Sequence, residues 1–380
     1  MNSPTKKIVI AYNKAQFIYI FRIGTILGLL ERQYKVIIVA PWDDYSLKLQ
    51  DMGCEVYDIK MDNKGSNPFA DIMTLLEYRK MYRKIRPDLV LNFTIKPNIY
   101  GTLAARSLGV PCINMVPGLG TAFVEDSWLT YIVEQLYKIS QTWPYKVFLL
   151  NMDDLRLVVE RGLVPKEKAE LIHCSGIDLE KFSATPPSKK SAPIFLLIAR
   201  MLKDKGVIEF VEAARLIKAR HPQVRFQLLG PLGVENRTAI FASQMDAWVQ
   251  EGVIEYMGET GDVRPYIADA ACVILPSFYR EGLPRSLLEA SAMARPIITT
   301  DNVGCRDIVD DGITGYLCRI KDPVDLADKI ENFLLLSDAQ REEMGRKGRE
   351  KMERDFNEQI IVKRYLEVVE EALNQKGETA

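Results

Sequence analysis

Two glutamates eight positions apart, Glu281 and Glu289, stand in the segment PSFYREGLPRSLLEASAMARPIITTDNVGCRDIV, with Gly282, Leu283 and Pro284 directly after the first. The apolar run 271–275 just upstream reads as a strand. The Gly-Leu-Pro stretch reads as a tight turn, and the residues around Glu289 as the early part of a helix. A helix start presents unpaired N–H groups and the positive end of its dipole, which suit an anionic ligand. A carboxylate one turn in can accept hydrogen bonds from vicinal hydroxyls such as those of a ribose, and a second on the preceding loop can reach another hydroxylated group. Together they describe a pocket for a sugar nucleotide. Taken singly, either glutamate would serve equally as an ordinary acid favoured by the helix dipole.

Two cations belong with this segment. Arg200 and Lys205, in IARMLKDKGV, follow a buried strand-like run and precede a helix that begins near Val207. At that place they can bind a diphosphate and stabilise the charge that builds on it as a leaving group; alone, they would read as solvated loop charge. The amides near Leu283, Arg285 and Ser286 add donors, whereas Pro284 has none. Arg285 is either a third cation or a surface residue. Thr260 and Asp262, in YMGETGDVRPYI, follow another strand and either recognise a base or cap a helix.

The elements that must position these residues recur along the whole chain. Apolar runs at 7–11, 35–40, 55–59, 88–93, 111–116, 147–150 and 171–174 alternate with helical segments such as 20–31, 68–85 and 131–139; runs at 194–199, 225–229, 253–256, 272–275 and 297–300 repeat the pattern. Continuous apolar strands separated by helices indicate parallel sheets covered on both faces. The expected fold is therefore α/β: two Rossmann-like, doubly wound domains with ligands beyond the carboxyl ends of the strands, in an interdomain cleft. The boundary is expected at 183–192 (SATPPSKKSA), dividing the chain into 1–187 and 188–380, with a terminal helix at 358–374 in the second domain. No G-x-G-x-x-G opens either half and no G-x-x-x-x-G-K-[ST] is present, which speaks against a dinucleotide dehydrogenase and a P-loop ATPase.

Composition narrows the class further. The chain has 380 residues and a net charge of −1, which gives no general pull toward nucleic acid. Its six cysteines are scattered without a C-x-x-C pair, and Cys112, Cys174 and Cys272 sit in or beside apolar runs, as small core residues do. Only His173 and His221 are present, neither with a Cys or carboxylate at ligand spacing, so no metal is expected. No stretch reaches the length of a membrane-spanning helix, and the N-terminal apolar run reads as a first strand. A cytoplasmic protein follows as the expectation.

Arg200, Lys205 and the Glu281/Glu289 pair, followed by PIITTD and GITGYL, resemble the retaining glycosyltransferases of family 4, which have the GT-B fold; SGIDLEKF resembles the segment that ends their first domain. The resemblance spans essentially the whole chain. It implies that the second domain holds a nucleotide sugar, with Glu289 on the ribose, Arg200 and Lys205 on the diphosphate and Glu281 on the donor sugar. It also implies retention of anomeric configuration without a divalent metal or other cofactor, and UDP as the nucleotide. Family members that place a His in the first domain differ here, where the matching stretch is Val116-Pro117-Gly118-Leu119-Gly120.

The first half narrows the resemblance. NFTIKPNIYG (92–101) and INMVPGLGTAF (113–123) are similar to bacterial enzymes that extend undecaprenyl-diphosphate-linked sugars, among them α-1,3-N-acetylgalactosaminyltransferases. Asn13, Arg22, Lys96, Gly118 and Gly120 are then the acceptor-side candidates, Arg22 or Lys96 meeting the acceptor diphosphate; each would also serve as a structural loop residue. In LLEYRKMYRKIRPD, Arg79, Lys80, Arg83, Lys84 and Arg86 recur at helical spacing, interleaved with Leu75, Leu76, Met81, Tyr82 and Ile85. Such a helix can rest on anionic lipid, here the inner leaflet, or be a solvated helix face. Besides transfer of a hexose or N-acetylhexosamine, first of all GalNAc, two other readings fit. One is a UDP-sugar epimerase or hydrolase of the same fold; the other is a non-catalytic sugar-nucleotide scaffold.

Overall fold

The computed structural model describes residues 5–61, 68–119, 128–173, 176–186 and 192–378. It divides into two compact units, one running to Gly176 and resuming at Glu358, the other Ile177–Asn357.

The first unit is built on a seven-stranded sheet. Its strands are β1 (Lys7–Ala11), β2 (Lys35–Ala40), β3 (Glu55–Asp58), β4 (Leu89–Phe93), β5 (Cys112–Val116), β6 (Lys146–Leu149) and β7 (Ala169–Leu171). They lie in the order β3-β2-β1-β4-β5-β6-β7, every pair parallel. The β-branched runs KIVIA and KVIIVA fill the centre because helices cover both faces, and every residue of the two runs after the leading lysine is buried. The second unit has β8 (Ile194–Ile198), β9 (Arg225–Leu229), β10 (Glu255–Tyr256), β11 (Cys272–Leu275), β12 (Ile297–Thr300) and β13 (Gly315–Cys318). Its all-parallel order is β10-β9-β8-β11-β12-β13. Strand order reverses between β1 and β4 in one sheet and between β8 and β11 in the other. These are the switch points where such sheets bind ligands.

Two Rossmann-like units are what the alternating pattern predicts, but several boundaries differ. The expected helix 20–31 is two, Ala15–Phe21 and Ile23–Glu31, broken at Arg22, whose φ of −132° and ψ of 10° are not helical. The strand expected at 171–174 is the shorter β7 just upstream. Edge strand β13, GYLC, begins with glycine and has too short an apolar run to read as a strand.

The division into units also falls elsewhere than 187/188. Buried Arg295 donates to the Thr185 and Pro186 carbonyls at 3.0 and 2.6 Å, and Arg349 to the Phe182 carbonyl at 2.8 Å, so this stretch belongs to the second unit. The C-terminal helix Glu358–Glu378 belongs to the first unit, not the second. There Arg364 grips Glu170 through two hydrogen bonds of 2.6 and 3.0 Å, and the Tyr365 ring meets Phe148 at 4.8 Å. Gly28 allows this docking, since a Cβ there would lie 2.7 Å from Leu366 Cδ1. Cys54, Cys112, Cys272, Cys305 and Cys318 are buried free thiols; Cys174 lies outside the described residues.

Candidate active site

β8 and β11 are direct neighbours, Phe195 opposite Cys272, so the loops that leave their carboxyl ends run side by side at the second sheet's switch point. The β8 loop carries Arg200 and ends in a short 3₁₀ turn, Lys203–Lys205, closed by Gly206. Gly206 has φ 75°, and a Cβ there would sit 2.1 Å from the Pro276 carbonyl oxygen. Only glycine allows the two loops to approach so closely. The contact is then fastened by the Asp204 carbonyl, which accepts from the Phe278 and Tyr279 amides at 3.1 and 3.2 Å. Gly206→Ala is accordingly expected to push the loops apart, destabilising the fold by about 1–3 kcal/mol and lowering activity. Thermal melting together with turnover checks this; wild-type values in both would remove the constraint.

The joined loops bring Lys205 Nζ into an ion pair with Glu281 Oε1. Ser277 Oγ lies within hydrogen-bond reach of the same Oε1, at 2.8 Å, and of the Asp204 carbonyl, at 3.1 Å. Glu281 is only 8% exposed, and both contacts fall on Oε1, which turns the carboxylate so that Oε2 is the oxygen they leave unoccupied. Lys205 Nζ also stands 5.4 Å from the centre of the Tyr279 ring. Behind Glu281, the turn containing Gly304 (φ 77°) presses so closely that a Cβ would be 2.4 Å from the Gly282 carbonyl. Asn302 Nδ2 donates to the Tyr279 carbonyl at 2.9 Å. Arg200 is exposed at the loop start and contributes to the charge around Tyr279.

Gly282, Leu283 and Pro284 lead into the helix Arg285–Ala292, with Pro284 at its N-cap and no side chain capping it. Ser286 is half-buried in its first turn. Four residues apart on this helix, Arg285 Nε bonds Glu289 Oε1 at 2.8 Å. Burial pushes the Glu289 carboxyl above its ordinary value; Arg285 and Lys181 oppose that shift, and Asp262 adds to it. Asp262 is gripped by Arg264 through two bonds of 2.8 Å, which lowers its carboxyl to about 2, and its Oδ1 accepts the Arg264 amide at 3.1 Å. Thr260 Oγ1 accepts the Asp262 amide at 3.1 Å. The turn 260–264 is thus internally hydrogen-bonded, with Asp262 electrostatically coupled to Glu289.

At the first sheet's switch point, Asn13 follows β1 and Thr94 follows β4 with φ 71°, a left-handed conformation that is strained for a β-branched residue. The Thr94 carbonyl accepts the Asn98 amide at 2.9 Å, and Asn98 joins a buried amide network in which Asn92 Nδ2 donates to Asn114 Oδ1 at 2.9 Å and Asn114 Nδ2 to Gln141 Oε1 at 2.8 Å. This network backs the single π-turn Pro97–Gly101. Lys96, just before it, pairs with Asp71 at 2.8 Å. Arg22 is 2% exposed, its guanidinium 4.4 Å from the Phe93 ring centre and 5.4 Å from that of Tyr365. Gly118 has φ 140° after β5, and Gly120 lies outside the described residues.

On the helix Pro68–Ile85, Lys80, Arg83 and Lys84 are exposed, whereas Arg79 is half-buried with its Nε donating to Ser107 Oγ at 3.1 Å. Arg86 ends the helix in a left-handed conformation, φ 54°. Tyr82 and Ile85, interleaved with the cations in sequence, are core residues.

Ser277, Tyr279, Asn302 and Gly206 are the site residues that sequence reasoning missed. The signals were a Ser four positions before Glu281 and a Gly directly before the helix at Val207. Among the described residues no group of three or more His, Cys, Asp or Glu is placed to hold a metal ion. His221 meets a single carboxylate, Glu331, at 2.8 Å.

Two doubly wound parallel sheets, with cations and carboxylates gathered at the second sheet's switch point, form an architecture that binds ligands beyond its strand ends. Residues 8–143 match the family model for glycosyl transferase 4-like proteins, and residues 192–335 match that for glycosyl transferases group 1. The chain belongs to these glycosyltransferases and has their GT-B fold. It is similar to the N,N'-diacetylbacillosaminyl-diphospho-undecaprenol alpha-1,3-N-acetylgalactosaminyltransferase of Campylobacter jejuni, 28% identical, covering 94% of this chain and 96% of that protein. A second relative is the UDP-Gal:alpha-D-GlcNAc-diphosphoundecaprenol alpha-1,3-galactosyltransferase of Escherichia coli, 25% identical over 66% of this chain and 67% of that protein. Among solved structures, a glycosyltransferase of Rickettsia africae superposes with a TM-score of 0.79 at 18% identity, covering 98% and 99% of the two chains. Anabaena HepE, in complex with UDP and glucose, gives 0.77 at 15% identity, covering 96% and 99%.

Proposed function

We propose that this glycosyltransferase moves a hexose or N-acetylhexosamine, GalNAc in the first instance, from a UDP-sugar to an undecaprenyl-diphosphate-linked glycan with retention of anomeric configuration. The observation that carries the reading is the Lys205–Ser277–Glu281 cluster at the switch point, followed in sequence by the helix that carries the Arg285–Glu289 pair. The acceptor class rests on the activities named for the Campylobacter and Escherichia relatives.

The chemistry follows from charge. As the bond between the anomeric carbon and the diphosphate oxygen breaks, negative charge grows on the departing UDP. Arg200 and Lys205 stabilise it there, and the helix start at Arg285 adds its dipole. Glu281, oriented by Ser277 and Lys205, holds a hydroxyl of the donor sugar, and Glu289 holds the ribose. The acceptor oxygen attacks from the face the diphosphate leaves and hands its proton to the leaving phosphate oxygen, so no protein base is required and configuration is retained. Neither a metal nor another cofactor takes part. The first unit, with Asn13, Lys96 and Gly118 at its own switch point, receives the acceptor. The basic helix 68–85 sets the protein against the cytoplasmic face of the inner membrane, where that lipid resides.

Incubating the protein with several UDP-sugars, with and without an undecaprenyl-diphosphate-linked sugar, is the test. Product is expected only with acceptor, with the anomeric configuration of the donor by NMR. Consumption of donor without acceptor would mean a hydrolase or epimerase, and an inverted linkage would overturn the mechanism. Transfer is also expected to persist in EDTA; complete loss restored by Mg²⁺ or Mn²⁺ would contradict the metal-free step.

A further inference from the structure

Strand β11 ends at Leu275 and β12 at Thr300, yet the loop that leaves β11 stays fastened to its neighbour. Side chains continue where the backbone pairing stops. Thr299 Oγ1 donates to the Leu275 carbonyl at 2.6 Å, and Thr300 Oγ1 donates to that of Ser277. Asn302 Nδ2 donates to the Ser277 and Tyr279 carbonyls at 3.3 and 2.9 Å. The alternate carbonyls of Leu275, Ser277 and Tyr279 are thus held from the β12 side, as carbonyls along one strand edge would be. From the other loop, the Asp204 carbonyl accepts the Phe278 and Tyr279 amides. Asn302 is itself fixed: its backbone amide donates to the Thr300 carbonyl at 2.8 Å, and its Oδ1 accepts the Val303 amide at 2.9 Å. Turned over, the side-chain amide would set its oxygen against two carbonyls, so only this orientation serves.

Ser277 is gripped at two points. Its carbonyl is held by Thr300 and Asn302, and its hydroxyl lies 2.8 Å from Glu281 Oε1. A displacement of the Ser277 or Tyr279 backbone is therefore passed on to the carboxylate. We propose that Asn302 is a positioning residue for the donor sugar: through the Ser277 and Tyr279 carbonyls it fixes the direction in which Glu281 presents Oε2, without touching substrate itself. The inference rests on the reading that Glu281 holds a hydroxyl of the donor sugar. Thr299 and Thr300 make bonds of the same kind, but both are fully buried within β12, where a substitution disturbs the sheet as well. Asn302 stands beyond the strand, half-buried, and reaches the Tyr279 carbonyl two residues from Glu281. A small displacement of a group that must meet one hydroxyl weakens its effect on the reaction steeply.

Transfer kinetics with UDP-GalNAc and an undecaprenyl-diphosphate-linked sugar, calorimetry with UDP, and crystallography of the variant test this together. Asn302→Ala is expected to lower kcat roughly tenfold to a hundredfold, the range that a misplacement of about 1 Å produces. The Kd for UDP should stay within about twofold, since Glu289 is carried by the separate helix Arg285–Ala292. Asn302→Asp keeps the shape but removes both donations, and should show the same split; it also serves if the alanine variant fails to fold, which thermal melting reports. In a Glu281→Gln background, Asn302→Ala should cost no more than about twofold in kcat, because the group it positions is already lost. An additive loss there, equal losses in kcat and UDP affinity, or wild-type turnover by Asn302→Asp would each overturn the proposal. In the crystal, Asn302→Ala should turn the Glu281 carboxylate away from Ser277 Oγ. An unmoved carboxylate overturns the positioning role whether or not any sugar is transferred. If the wild-type protein transfers no sugar from any UDP-sugar, the transfer reading fails instead, and the crystallographic comparison still decides Asn302.

Discussion

Lys205→Ala is expected to lower kcat about 10²-fold or more, the loss seen when one preorganised donor to developing charge is removed. Arg200→Ala should act in the same direction from the start of the same loop. The structure adds a second consequence for Lys205. Its ammonium is the ion-pair partner of Glu281, and the two side chains are 16 and 11% exposed. Breaking a buried pair from one side costs about 3 kcal/mol, and the remaining solvent contact of this pair should reduce that figure.

The catalytic and structural contributions can be separated. Combining Lys205→Ala with Glu281→Gln removes the unpaired charge, so stability should recover while kcat stays low. If melting falls in Lys205→Ala but kcat holds, the pair is structural only. A change confined to the donor KM would instead mean that the lysine binds ground and transition states equally.

Glu289→Ala should weaken UDP binding by about 1.5–3 kcal/mol, the usual value of hydrogen bonds to a charged group. That is roughly tenfold to a hundredfold in Kd. The effect should depend on pH in a direction the burial of this residue fixes. Desolvation raises the Glu289 carboxyl above its ordinary 4.5, more than Arg285 lowers it. Only the carboxylate accepts from both ribose hydroxyls, so UDP affinity should fall as pH drops through that raised value, earlier than for an exposed glutamate.

The sign for folding is the reverse. A carboxyl raised in the native state takes up a proton on folding, so its stabilising contribution is complete below the unfolded value and is lost as pH rises through the folded one. Calorimetry of wild type against Glu289→Gln across this range checks both, because the titration of UDP itself is common to the two proteins. Equal affinity of Glu289→Ala and wild type would take Glu289 out of the nucleotide site.

What the sequence by itself determined is the part of this protein written in local pattern. Continuous β-branched runs such as KVIIVA can only be strands buried on both faces, and their alternation with helices leads to two parallel sheets. The pair Glu281 and Glu289 was legible because a strand, a turn and a helix occupy consecutive residues, as was the placing of Arg200 and Lys205 after a strand end.

Tertiary structure alone decided which of these groups meet. Lys205 and Glu281 are 76 residues apart, and nothing in either segment specifies that β8 and β11 become neighbours and that Gly206 lets their loops touch. Ser277 could not be singled out until its hydroxyl was seen against Glu281. The terminal helix reads as amphipathic anywhere along the chain, and only Glu170, Phe148 and Gly28, all distant in sequence, assign it to the first unit. On the helix 68–85 the spacing defines faces but not their direction. Packing of Tyr78 and Tyr82 into the core is what turns Ile72, Met73 and Leu76 outward, because the side that buries more area against the sheet sets the rotation of the whole helix.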